Sequence, residues 1–139
     1  MKKKRAQRLP FFDLSNKMVA PGQNALAAMR QGIVDLEQVS NLRLMRSLAD
    51  AARQSRMLAP DPRGLDPLIF PLEAAMASGD VLQIDLDELE RAELWMTALR
   101  DMLGRASAQS IQALLDEMVI NADIKLQLAR INQTTDQAL

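Results

Sequence analysis

Apolar residues recur every three or four positions through most of this chain, the spacing that gathers them on one helix face. Leu26, Met29, Ile33 and Leu36 form one such stripe, and Leu42, Met45, Ala49 and Ala52 continue it. They predict a helix from Asn24, a good capping residue, to Leu58 before Pro60. Gly32 and the polar pair Ser40-Asn41 interrupt the stripe and mark where it would bend or break. Upstream, Leu9-Pro10-Phe11-Phe12-Asp13-Leu14 and then Ala20-Pro21-Gly22 punctuate the chain before any long helix begins. The Phe11-Phe12 pair either packs back on the core or forms an exposed docking element.

Residues 59–71 contain four prolines and read as a loop, with Leu68, Ile69 and Phe70 tucked against the core. A short helix from Leu72 to Ser78 follows, stopped by Gly79. Asp85 with Glu88 three residues later fits a capping box at the start of a further helix. Its stripe is Leu89, Ala92, Met96, Leu99 and Leu103, ending at Gly104. Ser107 caps a last helix reaching about Gln133. That helix carries one stripe at Ile111, Leu115, Val119, Ala122, Leu126 and Ala129, and a second at Ile120, Ile124, Leu128 and Ile131. Two stripes make a wide apolar arc, which either sits centrally or meets another chain. A homodimer is the expectation.

The fold class expected is all-α: an antiparallel helical bundle of three long or broken helices plus one short helix, open to completion by dimerisation. Residues 1–8 are expected to be a basic disordered arm, 9–133 a single helical domain, and 134–139 a frayed tail. No internal repeat is present.

Composition narrows the chemistry. With 48% hydrophobic and 25% charged residues over 139 positions, the chain has ordinary globular proportions. Aromatics make up only 3%, too few for a sandwich or barrel. There is no cysteine and no histidine, which removes thiolate chemistry, the commonest general base and the commonest metal ligand. The acidic run Asp85, Asp87, Glu88, Glu90 and Glu93 has no complementary cluster to complete a cation cage, and it fits capping plus a solvated face. Lys125, near Glu117 and Asp123, reads as an exposed amine beside the apolar stripe. The five glycines are scattered and form no phosphate loop. The reading is of a protein that is not an enzyme and uses no cofactor. No apolar run approaches the ~18 residues of a membrane span. The apolar stretch after Lys2–Arg5 stops at Asp13, too short for an export signal. A cytoplasmic protein of bacterial style, away from membranes, is expected.

The formal net charge of −1 conceals an uneven distribution. Residues 1–60 carry 11 Lys/Arg against 4 Asp/Glu, whereas residues 61–139 carry 6 against 14. Such a split either marks an interaction surface or means that basic and acidic helices pack together and neutralise one another.

Two functions follow. The first is a protein–protein interaction module (an adaptor, chaperone or inhibitor) whose partner the sequence does not identify. It would hold an amphipathic helical or basic segment in an apolar groove between the helices starting at Asp85 and Ser107, rimmed by acidic residues. Trp95, Met96, Leu99, Met102, Ile120, Ile124, Leu128 and Ile131 would line it. Nine methionines supply adaptable apolar surface, and tryptophan is enriched at binding hot spots, although both residue types also serve as core. The alternative is a small nucleic-acid regulator using Lys2, Lys3, Lys4 and Arg5 with Arg43, Arg46, Arg53 and Arg56. An isoelectric point near 5.4 and the lack of an aromatic platform weigh against it.

Overall fold

A computed structural model describes the backbone of residues 9–119 together with 126, 127 and 130, and side chains from residue 15 onward within that range. Every regular element among these residues is helical. In chain order they are α1 (Leu9–Arg30), α2 (Leu36–Gln54), a 3₁₀ turn (Pro62–Leu65), α3 (Asp66–Ser78) and α4 (Leu86–Arg105). A fifth helix, α5, occupies 108–119. The arm at 1–8, the side chains of Phe11 and Phe12, and the tail at 134–139 lie outside the described residues.

The first correction concerns α1, which begins at Leu9 and runs through Pro21. Proline inside a helix removes one N–H and crowds the carbonyl four residues earlier, at a cost of about 3 kcal/mol. Packing outweighs that local cost here. α1 lies against both α2 and α4 and contributes the buried residues Val19, Leu26 and Met29 to the core. Gly22 explains how the three helices approach so closely. A Cβ placed on it would lie 2.5 Å from Cε of Met96, and closer still to Cγ of Met45. The Pro21-Gly22 pair is therefore a packing device within a helix.

The second correction divides the predicted 24–58 helix in two. The break falls at Gly32, and Ser40 and Asn41 lie inside α2. Gly32 adopts φ 86°; its N–H bonds to the Met29 carbonyl and that of Ile33 to the Ala28 carbonyl. That paired pattern is a Schellman helix end, which needs a left-handed residue. α2 then starts with a reciprocal capping box. The Asp35 carboxylate accepts from Gln38 N at 3.4 Å, and the Gln38 side chain accepts from Asp35 N at 3.1 Å. At Asp85 only half of the expected box forms. Its carboxylate accepts from Asp87 N and Glu88 N, while Glu88 pairs forward with Arg91.

The third correction is at the prolines. Residues 62–65 form a 3₁₀ turn and α3 begins at Asp66, well before Leu72, because Pro67 sits in the first turn where no N–H donor is needed. Leu68 and Ile69 are buried as expected, but Phe70 is 47% exposed, with the Arg43 guanidinium 5.5 Å from its ring centroid. Gly79 ends α3 in the left-handed conformation. α4 passes Gly104 by one residue, and Ser107 caps α5 by accepting from Ser110 N at 3.1 Å.

The core is continuous across all these elements. Leu42, Met45, Leu65, Ile69, Leu72, Leu89, Met96, Leu99, Leu103 and Leu114 are each at most 1% exposed. In α5, Ile111 and Leu114 face inward, whereas Val119 is 61% exposed. The stripe drawn through Ile111, Leu115 and Val119 therefore leaves the core as it advances. No helix among the described residues is long and apolar enough to cross a membrane.

Candidate functional site

Part of the uneven charge distribution is neutralised between helices and turns of the fold. Four ion pairs each join an arginine from the basic part to a carboxylate from the acidic part: Arg30–Glu93, Arg43–Glu73, Arg46–Asp66 and Arg53–Asp61. The first three are two-pronged, with Nε of Arg30, Arg43 and Arg46 donating at 3.0, 2.8 and 2.7 Å. Hydrogen bonds from Arg30 and Arg43 hold the Glu93 and Glu73 carboxyls below the usual carboxylate range. Basic and acidic helices do pack together and neutralise one another. Arg43, Arg46 and Arg53, named above as candidate phosphate contacts, are all committed to carboxylates. Lys2, Lys3, Lys4 and Arg5 lie outside the described residues.

Of the nine arginines between residues 30 and 105, seven are in ion pairs among the described residues. The other two, Arg56 and Arg105, line the same cleft. This cleft, of about 570 Å³, lies between the end of α2, the last turns of α4 and the start of α5. Met57, Leu58, Ala98, Met102 and Ala106 supply its apolar surface, and Asp101 adds a carboxylate. Leu58 is 95% exposed, while Met57 and Met102 are half-buried. A second, more polar cleft of about 510 Å³ adjoins Ser15, Asn16, Arg100 and Gly104, and the two share Asp101 and Arg105.

The local backbone explains how Leu58 comes to be displayed. α2 ends in the same Schellman pattern as α1, with Arg56 N bonding to the Arg53 carbonyl and Met57 N to the Ala52 carbonyl, both at 2.9 Å. α3 also ends this way, through Gly79 and Asp80. Two of these three ends place glycine at the left-handed position. The third places Arg56 there, at φ 64°, where a side chain is unfavourable by about 1–2 kcal/mol. The chain tolerates strain at a residue that lines the cleft and has no ion pair among the described residues, and such strain concentrates at functional sites.

The residues expected to line a groove separate into three groups. Trp95, Met96 and Leu99 are 8%, 1% and 0% exposed and belong to the core. Trp95 donates from Nε1 to the Asp61 carbonyl at 2.7 Å. Met102 lines the cleft. Ile120, Ile124, Leu128 and Ile131 lie outside the described residues. The charged side chains lining this cleft are two arginines and one aspartate, whereas half of the residues expected to line the acidic-rimmed groove lie outside the described residues. Sequence reasoning missed Leu58 and Arg105. The signal available was the run Met57-Leu58-Ala59 before Pro60, apolar residues that continue after the helical spacing has ended.

The residues lining the cleft include no cysteine, histidine or lysine. Ser55 and Ser110 line it, but the chain has no histidine to activate a hydroxyl. Among the described residues no group of acidic side chains could hold a metal ion. An adaptable methionine surface beside an exposed leucine and charged side chains suits recognition of another apolar, charged segment. Comparisons with protein-family models, with characterised proteins and with solved structures give no match for this chain.

Proposed function

We propose that this protein is a non-catalytic protein-interaction module whose binding site is the cleft between α2, α4 and α5. The observation that carries the reading is Leu58, 95% exposed beside half-buried Met57 and Met102, with Arg56 and Arg105, which have no ion pair among the described residues, on the same cleft. A leucine presented this fully to water at the mouth of a concave apolar surface gains most by being covered. The occupant is an amphipathic helical segment, its apolar side on Met57, Leu58 and Met102 and its charges on Arg56 and Arg105. In this reading the helices form an antiparallel bundle that acts as a rigid support for the site.

The nucleic-acid alternative is weaker because Arg43, Arg46 and Arg53 are neutralised within the fold. Photo-crosslinking discriminates between the two. A photoreactive residue in place of Leu58 should capture a protein in nuclease-treated lysate, and the same residue at exposed Gln83 should not. Substituting Met102→Asp in the position-58 probe should abolish the capture. Crosslinks to nucleic acid, or capture unaffected by Met102→Asp, would overturn the reading.

A further inference from the structure

The proposed cleft needs an occupant with carboxylates beside apolar side chains, and α4 itself carries such a segment on its exposed side. Residues advance about 100° each around a helix. Leu89, Ala92, Met96, Leu99 and Leu103 therefore share the buried face, and Asp87, Glu90, Leu94, Asp101 and Arg105 fall on the opposite one. The first half of that exposed face holds Leu94, 72% exposed, at its centre, with Leu86, 63% exposed, at its edge. Between them stand Asp87 and Glu90, both exposed and without an ion pair among the described residues. Nearby Glu88 and Glu93, by contrast, are paired with Arg91 and Arg30. The second half leads through Ala98 into the cleft, which Met102, Arg105 and Arg56 line together.

One helix thus presents an acidic, leucine-bearing half followed by a half bordering an apolar cleft that carries Arg56, Arg105 and one carboxylate, Asp101, itself paired with Arg100. Such a surface is self-complementary. A two-fold axis places each patch of one copy on the opposite patch of the other. From this arrangement we infer that the occupant is the first half of α4 from a second copy of this chain, the two α4 helices running antiparallel. Leu94 of each copy covers Leu58, Met57 and Met102 of the other. Asp87 and Glu90 of each copy meet the partner copy's Arg56 and Arg105. The inference rests on the reading of the cleft as an interaction site and differs from a dimer built on the apolar arc of the last helix.

Charge reversal tests it, since all four charged side chains are exposed and their substitution leaves the core intact. By sedimentation at tens of micromolar, the wild-type chain should have twice its 15.5 kDa mass. Arg56→Glu with Arg105→Glu, or Asp87→Arg with Glu90→Arg, should each weaken the dimer at least about tenfold by opposing like charges. The two double variants mixed together should associate, and one chain bearing all four substitutions should recover the dimer. A monomeric wild type, a dimer indifferent to either double variant, or failure of the four-substitution chain to recover would overturn the inference. A monomer that still crosslinks another protein through position 58 would retain the cleft as a binding site and discard only this occupant. A monomer without such crosslinks would discard both.

Discussion

Trp95 and Asp61 join α4 to the turn after α2: the indole Nε1 donates to the Asp61 carbonyl at 2.7 Å. Gly64, one turn further on, lies under the same ring, and a Cβ there would stand 2.6 Å from Trp95 Cδ1. A rigid indole has little freedom to yield. Gly64→Ala should therefore lower stability by about 1–3 kcal/mol, the usual range for overpacking. Trp95→Phe should cost about 1 kcal/mol through the lost hydrogen bond. Urea titration followed by circular dichroism checks both, and an unchanged midpoint for Gly64→Ala would show that the turn yields instead of the ring.

Gly22 offers a parallel case with softer neighbours. The atoms in the way belong to Met45 and Met96, and a methionine tip can move where an indole cannot. Met45 Cγ is near the root of its side chain, however, so the backbone must shift as well. Gly22→Ala should cost about 1–3 kcal/mol despite alanine's better helix propensity. A gain in thermal stability would mean that α1 does not pack as closely as described.

These two glycines show why part of the fold was legible in the sequence and part was not. The buried stripe of α4, the cap at Asp85 and the stop at Gly79 depend on residues within a few positions of one another, and all were readable. Pro21 and Pro67 were misread because their meaning depends on distant packing and on the place of a proline within its helix. The partition of charge was readable as mutual neutralisation. Which arginines would be left over was not, because that depends on where Glu73, Asp66 and Glu93 come to lie in three dimensions. The cleft itself was only half legible: Met102 was singled out, whereas Leu58 looked like the last residue of a helix.

Acid should reveal the ion pairs directly. The Asp61 carboxyl is lowered to about 2, foremost by the hydrogen bond from the Arg63 side chain and then by the Arg63 backbone N–H. Glu73 and Glu93 are lowered by Arg43 and Arg30. A carboxylate whose pKa is lower when folded adds stability above its unfolded value and loses it as pH falls through the folded one. These contributions should be complete at neutral pH and decline from about pH 4.5, near the unfolded values, with the Asp61 part persisting to about pH 2. Asp61→Asn should lower stability at neutral pH and flatten the acid limb of a urea-midpoint-against-pH curve. An acid limb as steep in Asp61→Asn as in the wild type would remove Asp61 from this account.

Arg56 sets local stability against the proposed recognition role of the cleft. A left-handed side chain is unfavourable by about 1–2 kcal/mol, and glycine recovers most of this while losing about 0.5–1 kcal/mol to its greater unfolded freedom. Arg56→Gly should therefore raise stability by about 0.5–1 kcal/mol. Gly32→Ala, which imposes the same strain at the end of α1, should cost about 1 kcal/mol. The two helix ends share one hydrogen-bond pattern, so each substitution serves as a control for the other. If Arg56 is retained for its side chain, Arg56→Gly should also weaken association through the cleft while the urea midpoint rises. Better stability with unchanged association would assign the left-handed arginine no part in recognition. Lower stability would mean that its side chain supports the fold through contacts along its aliphatic stem.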